Sequence, residues 1–361
     1  MADTSQKQGE TLRVLVLADS RAFHTARYVR ELRRQGCRVV LASLERGAMP
    51  HFHLKRRGPW RYLHYPLAAP EVRGLVRRFQ PHIVNPHFVS GYGHLAARSA
   101  RKGWPPIVTH LWGSDVLLVP HKSGLHKQKT KAALAVSSVV IGDSKYLVDA
   151  AASLQELHYR LVIPWGIENW GMELFQPDRP PATQPRVLMP RPHEPVYNNF
   201  FVLEALAPLL NEGVISLTVP SWGALADRFR NEASKAVTGG IEYYDPLPRD
   251  KYLAFAADHD LFVSAALSDS SPASLIEALG LGLVPVVGDI PGVREWCEHI
   301  RCQLFDLGQP KSLQVAMTAA LKSTDEWREW RVGNHQYCRE HGVFEDNISH
   351  TINLMLRLVT G

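Results

Sequence analysis

The feature that most constrains the fold is an alternation of short apolar, β-branched runs with segments of helical periodicity. Amphipathic segments such as "HTARYVRELRRQG" (24–36), with Gly36 as a natural helix stop, separate the runs. This alternation predicts a parallel sheet with helices on both faces. In the first half the runs are "LRVLVLA" (12–18), "RVVLAS" (38–43), "HIVNPH" (82–87), "PIVTHL" (106–111), "SVVIGD" (138–143) and "RLVIP" (160–164).

The same alternation starts again in the second half. Its runs are "RVLM" (186–189), "ISLTV" (215–219), "DLFVSA" (260–265), "VPVVGD" (284–289) and "QLFDL" (303–307). Because 361 residues exceed one ordinary core, we predict an α/β protein of two Rossmann-like, doubly wound domains with a cleft between them. The predicted domains are residues 1–165 and 166–345, and the final helix (346–361) is expected to pack back on the first domain. The Pro-rich stretch 175–187 is predicted to be the linker.

Composition and charge narrow the class of protein. No apolar run reaches the eighteen or so residues that span a bilayer, and "MADTSQKQGE" lacks the apolar core of a secretory signal. Four scattered cysteines indicate reduced thiols in a cytoplasmic protein. Residues 1–165 hold 25 Lys/Arg and 10 Asp/Glu, whereas residues 166–361 hold 16 and 25. The basic half is therefore expected to face an anionic partner.

The clearest chemical signal lies in Asp269 and the stretch "SSPASLIEALGLG" (270–282) that follows it. Ser270 or Ser271 suits an N-cap and Pro272 the first helical position. The first turn of such a helix offers free N–H groups and a positive dipole end, which favour a phosphate. Acids on both sides, Asp269 and Glu277, suit sugar hydroxyls and suggest a nucleotide sugar. The alternative is structural, since an acid near a helix N-terminus is often only a dipole partner.

A longer segment, residues 267–296, resembles a known family. From Ser270 onward it reads "SSPASLIEALGLGLVPVVGDIPGVREW" (270–296). It is similar to the signature of retaining glycosyltransferases of family four with the GT-B fold, including a later Gly and Glu at Gly292 and Glu295. "PIVTHLWGSDV" and "VIPWGIENWGMELFQP" resemble further segments of that family. The resemblance is to members that assemble polysaccharides and lipid-linked glycans.

The resemblance implies roles for four residues in the second half. Glu277 matches the acid that holds the nucleotide ribose, and Asp269 matches an acid beside the donor sugar. Arg191 matches an Arg that neutralises the leaving diphosphate. Tyr197 stands where relatives carry a second cation, so this chain departs from the pattern there. The expected donor-binding set is Tyr197, Ser270, Ser271, Pro272, Ala273 and Ser274.

In the first half, His110 matches a family His beside the donor sugar, at the end of a predicted strand. Asp115, in the loop after it, is expected to touch the acceptor, with a turn-forming role as the alternative. His24 opens the first helix on the acceptor side. A stretch between the second and third predicted strands carries basic and aromatic residues that suit an anionic membrane surface. They are Arg56, Arg57, Trp60 and Arg61.

The function expected from this resemblance is transfer of a sugar from a nucleoside diphosphate sugar, with a UDP-sugar favoured, to a hydroxyl acceptor such as a lipid-linked glycan. The implied mechanism retains the anomeric configuration, acts at the inner membrane face and needs neither metal nor cofactor. Asp258-x-Asp260 has metal-binding spacing but is predicted to be a solvated turn. Two alternatives stay open: a catalytically silent partner subunit and a nucleic-acid-directed transferase. The sequence contains no nucleic-acid-binding motif that would support the second.

Overall fold

A computed structural model describes residues 11–55 and 61–360. The chain divides into two compact units. Unit 1 comprises Met1–Ile163 with Ile348–Gly361, and unit 2 comprises Pro164–Asn347. Unit 1 is therefore built from two segments that are far apart in sequence, whereas unit 2 is continuous.

The strands of unit 1 are all parallel. They pair in the order β3-β2-β1-β4 and β5-β6-β7, and single bridges from Val84 to Ile107 and from His87 to His110 join β4 to β5. The strands are β1 (Arg13–Leu17), β2 (Arg38–Ser43), β3 (Phe52–His53), β4 (Ile83–Pro86), β5 (Val108–His110), β6 (Val139–Gly142) and β7 (Arg160–Val162).

Helices connect these strands, except that a loop joins β2 to β3, and each connection returns the chain to the same end of the sheet. Ser144 shows the local cause of one helix start, because its side chain accepts a hydrogen bond from the Leu147 N–H (3.1 Å). A π-helix (Phe88–Gly93) directly follows β4. The helices are α1 (Phe23–Arg34), α2 (Arg61–Leu67), α3 (Ala69–Phe79), α4 (His94–Ser99), α5 (Ser114–Leu117), α6 (Gly124–Ala135) and α7 (Lys145–Leu154).

Unit 2 contains a six-stranded parallel sheet in the order β10-β9-β8-β11-β12-β13. Its inner strands are buried on both faces: Val187 of β8 belongs to one apolar cluster and Leu188 to the other. Helices on both sides supply the rest of these cores. The strands are β8 (Arg186–Leu188), β9 (Ser216–Pro220), β10 (Ile241–Tyr244), β11 (Leu261–Ser264), β12 (Val284–Gly288) and β13 (Gln303–Phe305).

The remaining helices belong to unit 2, except that α16 continues into unit 1. There Ser349 of α16 donates a hydrogen bond to the side chain of Gln35, in the turn after α1 (2.8 Å). These helices are α8 (Asn169–Met172), α9 (Asn199–Asn211), α10 (Ala226–Ala236), α11 (Arg249–Ala257), α12 (Ala273–Leu281), α13 (Pro291–Cys297), α14 (Pro310–Lys322), α15 (Trp327–His341) and α16 (Phe344–Thr360).

The Pro-rich stretch 175–187 lies inside unit 2, so its prediction as the linker is wrong. Arg331 of α15 donates to the carbonyl oxygens of Gln176 (3.2 Å) and Arg179 (2.9 Å). Arg179 in turn pairs with Asp260 (3.1 Å), which is 1% exposed and not part of a solvated turn. Prolines exclude helix and central strand, but side chains from distant helices can still satisfy the carbonyl groups of such a segment.

Candidate functional site

The strand order of unit 2 creates a switch point between β8 and β11. From β8 the chain proceeds outward to β9 and β10, whereas from β11 it proceeds in the opposite direction to β12 and β13. In open α/β sheets, ligands bind outside the carboxyl ends of the strands at such a point. The loops that follow β8 and β11 are in direct contact here, because the Leu267 N–H donates to the Val196 carbonyl (2.8 Å).

The loop after β8 presents Arg191. Its guanidinium group lies over the ring of Tyr197, 4.8 Å from the centroid, and its Nη2 donates to Asp269 Oδ2 in the loop after β11. The Asn199 amide holds the loop from below by donating to the Arg191 carbonyl (3.0 Å). The structure therefore brings together Arg191, Tyr197 and Asp269. The Tyr197 ring makes a cation–π contact with Arg191 and does not itself supply the second cation that relatives carry at this position.

The start of α12 differs from the predicted start by one residue. Pro272 is the N-cap and Ala273 the first helical residue, and neither serine caps the helix. Ser271 Oγ instead accepts a hydrogen bond from Trp296 Nε1 (2.9 Å), and the Ser270 N–H donates to Asp269 Oδ1 (3.0 Å). The prediction of a serine N-cap is wrong, because the indole of α13 competes for the hydroxyl.

Gly292, at the start of α13, explains how this loop is held. A Cβ atom at Gly292 would lie 1.9 Å from the Ser270 carbonyl oxygen and 2.8 Å from that of Asp269. Only a residue without a side chain permits this approach of α13 to the loop after β11. Glycine at this position therefore helps to fix the backbone before α12.

Two buried polar atoms in this region have unused hydrogen-bonding capacity. Within residues 11–55 and 61–360, neither Arg191 Nε nor Ser274 Oγ has a hydrogen-bond partner. Ser274 lies in the first turn of α12, just before Leu275, whose N–H donates to the Pro272 carbonyl (2.9 Å). Buried polar groups are rarely left unpaired, so both atoms point to a ligand rich in acceptor oxygens.

Glu277 lies at 8% exposure and is bonded on one side. Its Oε1 accepts from Arg249 Nη1 (2.6 Å), and the Nη2 of the same guanidinium donates to Glu168 Oε2 (2.8 Å). Burial would lower the pKa of Arg249, but Glu277 and Glu168 together raise it above its ordinary value. One arginine thus bridges two carboxylates.

In unit 1 the switch point lies between β1 and β4. His24 follows β1, His87 follows β4, and His110 ends β5. The rings of His87 and His110 are stacked at 4.6 Å, and Trp112 makes edge contacts with His87 (6.0 Å) and His24 (5.9 Å). Burial lowers the pKa of His110 to about 3, so this imidazole is neutral at physiological pH.

Asp115 does not have the role predicted for it at an acceptor. Its side chain is fully buried, and its two oxygens accept from the N–H groups of Val89 (2.6 Å) and Trp112 (2.9 Å). Burial raises the pKa of Asp115 to about 6, while these backbone donors oppose the shift. Asp115 ties the loop after β5 to the π-helix after β4, which is close to the turn-forming alternative.

Comparisons with known proteins agree with this geometry. Residues 13–144 match the family described as Glycosyl transferase 4-like. The chain is 27% identical over 281 residues to the putative teichuronic acid biosynthesis glycosyltransferase TuaC of Bacillus subtilis (strain 168), a match that covers 75% of this chain and 69% of that protein.

Two solved structures superpose over nearly the whole chain. The TM-score is 0.79 with sucrose-phosphate synthase from Thermosynechococcus elongatus (13% identity, 96% of this chain and 99% of that chain). It is 0.77 with Anabaena Alr3699/HepE in complex with UDP and glucose (14% identity, 96% and 99%). The chain has the GT-B glycosyltransferase fold. The family match and the similarity to a glycosyltransferase agree with the resemblance seen in the sequence and support glycosyltransferase activity.

Several residues that contact the candidate site residues could not be found from sequence patterns. Arg249 opens α11 in "LPRDKYL", where an exposed first-turn arginine would look the same. Asn85 and Trp112 flank predicted site residues but carry no motif. The repeated His-containing strand ends, His87 and His110, were the one available signal, because parallel strands place their carboxyl ends side by side.

The predicted membrane-facing residues Arg56, Arg57 and Trp60 lie outside the described residues, and Arg61 begins α2 without a described side chain. A second basic surface is visible on α3 and α4. Arg73 donates to the carbonyl groups of Arg98 (2.8 Å) and Ser99 (3.2 Å). Burial and the nearby guanidinium groups of Arg101, Arg98 and Arg77 lower the pKa of Arg73.

Two kinds of feature were not found in the part of the chain that the structure describes. None of its helices has both the length and the apolar character needed to cross a bilayer. Its His, Cys, Asp and Glu side chains form no group of three or more that could hold a metal ion.

Proposed function

We propose that this protein is a retaining glycosyltransferase that transfers a sugar from a nucleoside diphosphate sugar to a hydroxyl acceptor. The observation that carries the proposal is the switch point of unit 2, where Arg191, the start of α12 and Glu277 lie at the carboxyl ends of adjacent strands. The related structures contain UDP with glucose and UDP-glucose, which favours a UDP-sugar donor here.

Each group has a role that follows from its chemistry. Arg191, whose Nε is not used within the described chain, neutralises the diphosphate together with the first turn of α12. Glu277 accepts hydrogen bonds from the ribose hydroxyls through the oxygen that Arg249 leaves available. Asp269 and His110 bind hydroxyls of the donor sugar, and His24 serves the acceptor side.

The transfer itself proceeds on one face of the sugar and requires no metal. The acceptor oxygen bonds to the anomeric carbon while the bond from that carbon to the diphosphate oxygen breaks. The acceptor proton passes to the departing phosphate oxygen, so the products are a glycoside and a nucleoside diphosphate. Preorganised cationic donors such as Arg191 lower the barrier because negative charge develops on the leaving group.

We further propose a polysaccharide or lipid-linked glycan acceptor at an anionic membrane surface. The similarity to a teichuronic acid biosynthesis glycosyltransferase supports the acceptor class. The arginine cluster of Arg73, Arg77, Arg98 and Arg101 supports the membrane, since each basic residue near an anionic surface contributes about 1 kcal/mol. The basic stretch that includes Arg61 leads into α2, which packs on α3 and α4.

The donor experiment is a thermal-shift screen of UDP-, GDP-, ADP- and TDP-sugars without added metal, on the wild type and on Glu277→Ala. We expect one donor to stabilise the wild type and not the variant. That donor is then used to detect the glycoside and to determine its anomeric configuration. No stabilisation by any donor would contradict the proposal and favour a silent partner subunit.

The membrane experiment compares sedimentation with phosphatidylglycerol and phosphatidylcholine vesicles. Changing Arg77, Arg98 and Arg101 to Gln should weaken binding to the anionic vesicles and leave donor affinity unchanged. The control changes three lysines of unit 2 to Gln: Lys235, Lys311 and Lys322. Equal losses in both triple variants would show that net charge, and not this face, determines the binding. Tight binding to duplex nucleic acid, and not to anionic vesicles, would favour the alternative of a nucleic-acid-directed transferase.

A further inference from the structure

The orientation of the Asn85 side chain is fixed by a backbone carbonyl. Its Nδ2 lies 2.5 Å from the carbonyl oxygen of Val108, which can only accept, so this atom must be the amide nitrogen. The same nitrogen lies 3.0 Å from His110 Nδ1. Its second hydrogen therefore points to His110, and the Nδ1 of that ring must be the unprotonated acceptor.

A second constraint comes from the opposite end of the same chain of contacts. The Trp112 indole can only donate, and its Nε1 lies 3.3 Å from His87 Nδ1. The proton of a neutral His87 must then be on Nε2, which lies 3.2 Å from Asn85 Oδ1. The amide oxygen and the amide nitrogen of Asn85 are thus assigned independently, from Trp112 and from Val108, and the two assignments agree.

The strand register explains why these side chains meet. His87 pairs with His110 across the parallel bridge between β4 and β5, so Asn85, two residues earlier, lies beside Val108 and on the same side as His87. The two imidazole rings are stacked, and His110 is 6% exposed. A neutral ring whose Nδ1 is an acceptor has its proton on Nε2.

We propose that Trp112, His87 and Asn85 form a relay that holds His110 as the Nε2–H tautomer, so that His110 donates a hydrogen bond to an oxygen of the donor sugar and does not serve as a general base. This inference rests on the proposed function. Asn85, His87 and Trp112 are positioning residues, because they act through His110. With Nδ1 occupied and Nε2 protonated, the ring has no site for the acceptor proton, which goes to the departing phosphate.

The tautomer can be measured in the free protein, without turnover. Two-bond ¹H–¹⁵N spectra of histidine-labelled protein distinguish protonated from unprotonated ring nitrogens, and His110→Gln identifies the His110 signals. We expect unprotonated Nδ1 and protonated Nε2. A protonated Nδ1, or averaged signals from both tautomers, would overturn the relay whatever the donor screen shows.

Asn85→Asp tests whether the relay matters for transfer. A carboxylate cannot donate to His110, so we expect the proton of that ring to move to Nδ1. Turnover should fall by about 2- to 10-fold, as for one lost hydrogen bond of about 0.5–1.5 kcal/mol between neutral groups, while affinity for the nucleoside diphosphate without its sugar stays constant. A moved proton with unchanged turnover would overturn the positioning role.

Trp112→Phe is a milder second variant, because it keeps an aromatic ring and removes only the N–H donor. We expect both tautomers of His87 to appear, with a smaller fall in turnover than for Asn85→Asp. The ring signals of His94, also in unit 1, report whether the fold is retained. If His94 and the melting temperature change while the His110 tautomer stays the same, the residues are merely structural and the proposal fails.

Discussion

At the carboxyl ends of their strands, the two units are built from opposite kinds of polar contact. Unit 1 has a neutral network in which His87 and His110 are uncharged and hydrogen-bonded through an amide. Unit 2 has ion pairs, with Arg191 on Asp269 and Arg249 between two glutamates. Both units share the parallel-sheet architecture and a switch point. The fold therefore supplies positions, and the loop side chains determine which charges a ligand meets.

The difference agrees with a division of labour in the proposed reaction. A leaving diphosphate needs cations whose charge is present before the reaction, and unit 2 supplies Arg191, which is paired with Asp269. Sugar hydroxyls need oriented neutral donors and acceptors, which the buried imidazoles provide.

The largest effect is expected for Arg191→Ala. Loss of a cation at the developing phosphate charge should reduce turnover by about 10²- to 10³-fold with the fold retained. Steady-state kinetics with the donor from the screen measures it. Arg228→Ala is the control, because Arg228 also lies over an aromatic ring, that of Phe200, but is exposed on α10. Similar turnover in the Arg191 variant and the wild type would remove Arg191 from the mechanism.

A smaller effect, on stability, is expected for Arg249→Met. The change leaves Glu168 and Glu277, each with an 11% exposed side chain, close together without their cation. Breaking a buried pair costs about 3–5 kcal/mol, and the partial exposure here reduces our expectation to about 2 kcal/mol. Denaturant unfolding measures it. Adding Glu168→Gln should restore part of the loss.

The matched control for Arg249 is Arg328→Met. Arg328 pairs with Asp178 on the surface, with side chains 68% and 77% exposed, so less than about 1 kcal/mol should be lost. Equal losses for Arg249 and Arg328 would show that the bridging of two glutamates contributes nothing beyond a surface pair.

Gly292→Ala should displace the loop before α12. The new Cβ would overlap the Ser270 carbonyl, and overpacking of this kind costs roughly 1–3 kcal/mol. We expect weaker donor binding by calorimetry and a lower melting temperature. Gly333→Ala is the control, since no atom lies within 4 Å of its Cβ position in α15, and helix propensity favours Ala there. Unchanged donor affinity in Gly292→Ala would disconnect α13 from the site.

Acidification should destabilise the neutral network. The folded pKa of His110 is about 3, below its ordinary value near 6.5, so between these values the unfolded chain binds more protons. The contribution of His110 to the free energy of unfolding is therefore fully present above pH 6.5. It falls toward pH 3, by at most about 1.4 kcal/mol per pH unit. Other buried histidines, such as His259, add to the total.

Urea unfolding of the wild type and of His110→Gln at pH 7.5, 6.5 and 5.5 isolates the contribution of His110. The variant should show the shallower loss of stability. An equal loss of stability with falling pH in both proteins would mean that protonation of His110 costs no folding free energy. The neutral network of unit 1 would then tolerate charge better than the burial of this ring indicates.

The sequence predicted elements well where the apolar signal was long and failed where it was short. The run "VPVVGD" (284–289) predicted β12, whereas β3 (Phe52–His53) and β10 (Ile241–Tyr244) were not recognised. In β3 only two residues pair, and β10 is a short edge strand that is largely half-buried. Neither presents enough buried residues to produce a clear pattern.

Arg191, His110 and Glu277 were predicted from the resemblance to the glycosyltransferase family, and each lies near a strand or on a helix that the apolar pattern predicts. Arg191 and His110 follow β-branched runs directly, and Glu277 lies in a helix whose apolar face is evident. Asp115 shows the limit of this reasoning. It also follows a strand, but its carboxylate turns inward to the backbone of Val89, 26 residues earlier. Loop residues show no periodicity that would reveal whether a side chain faces inward or outward.

By itself the sequence determined the layers of this protein: parallel strands, their covering helices, and a helix after β11 whose start was predicted to within one residue. These depend on side-chain periodicity and backbone propensity, which act over a few residues. The tertiary structure alone decided which polar groups meet. Arg249 meets Glu277 and Asn85 meets His110, pairs that are 28 and 25 residues apart, because strand order and register place distant loops side by side. A hydrogen-bond partner across such a distance leaves no trace in local sequence, since its position depends on how the whole sheet is assembled.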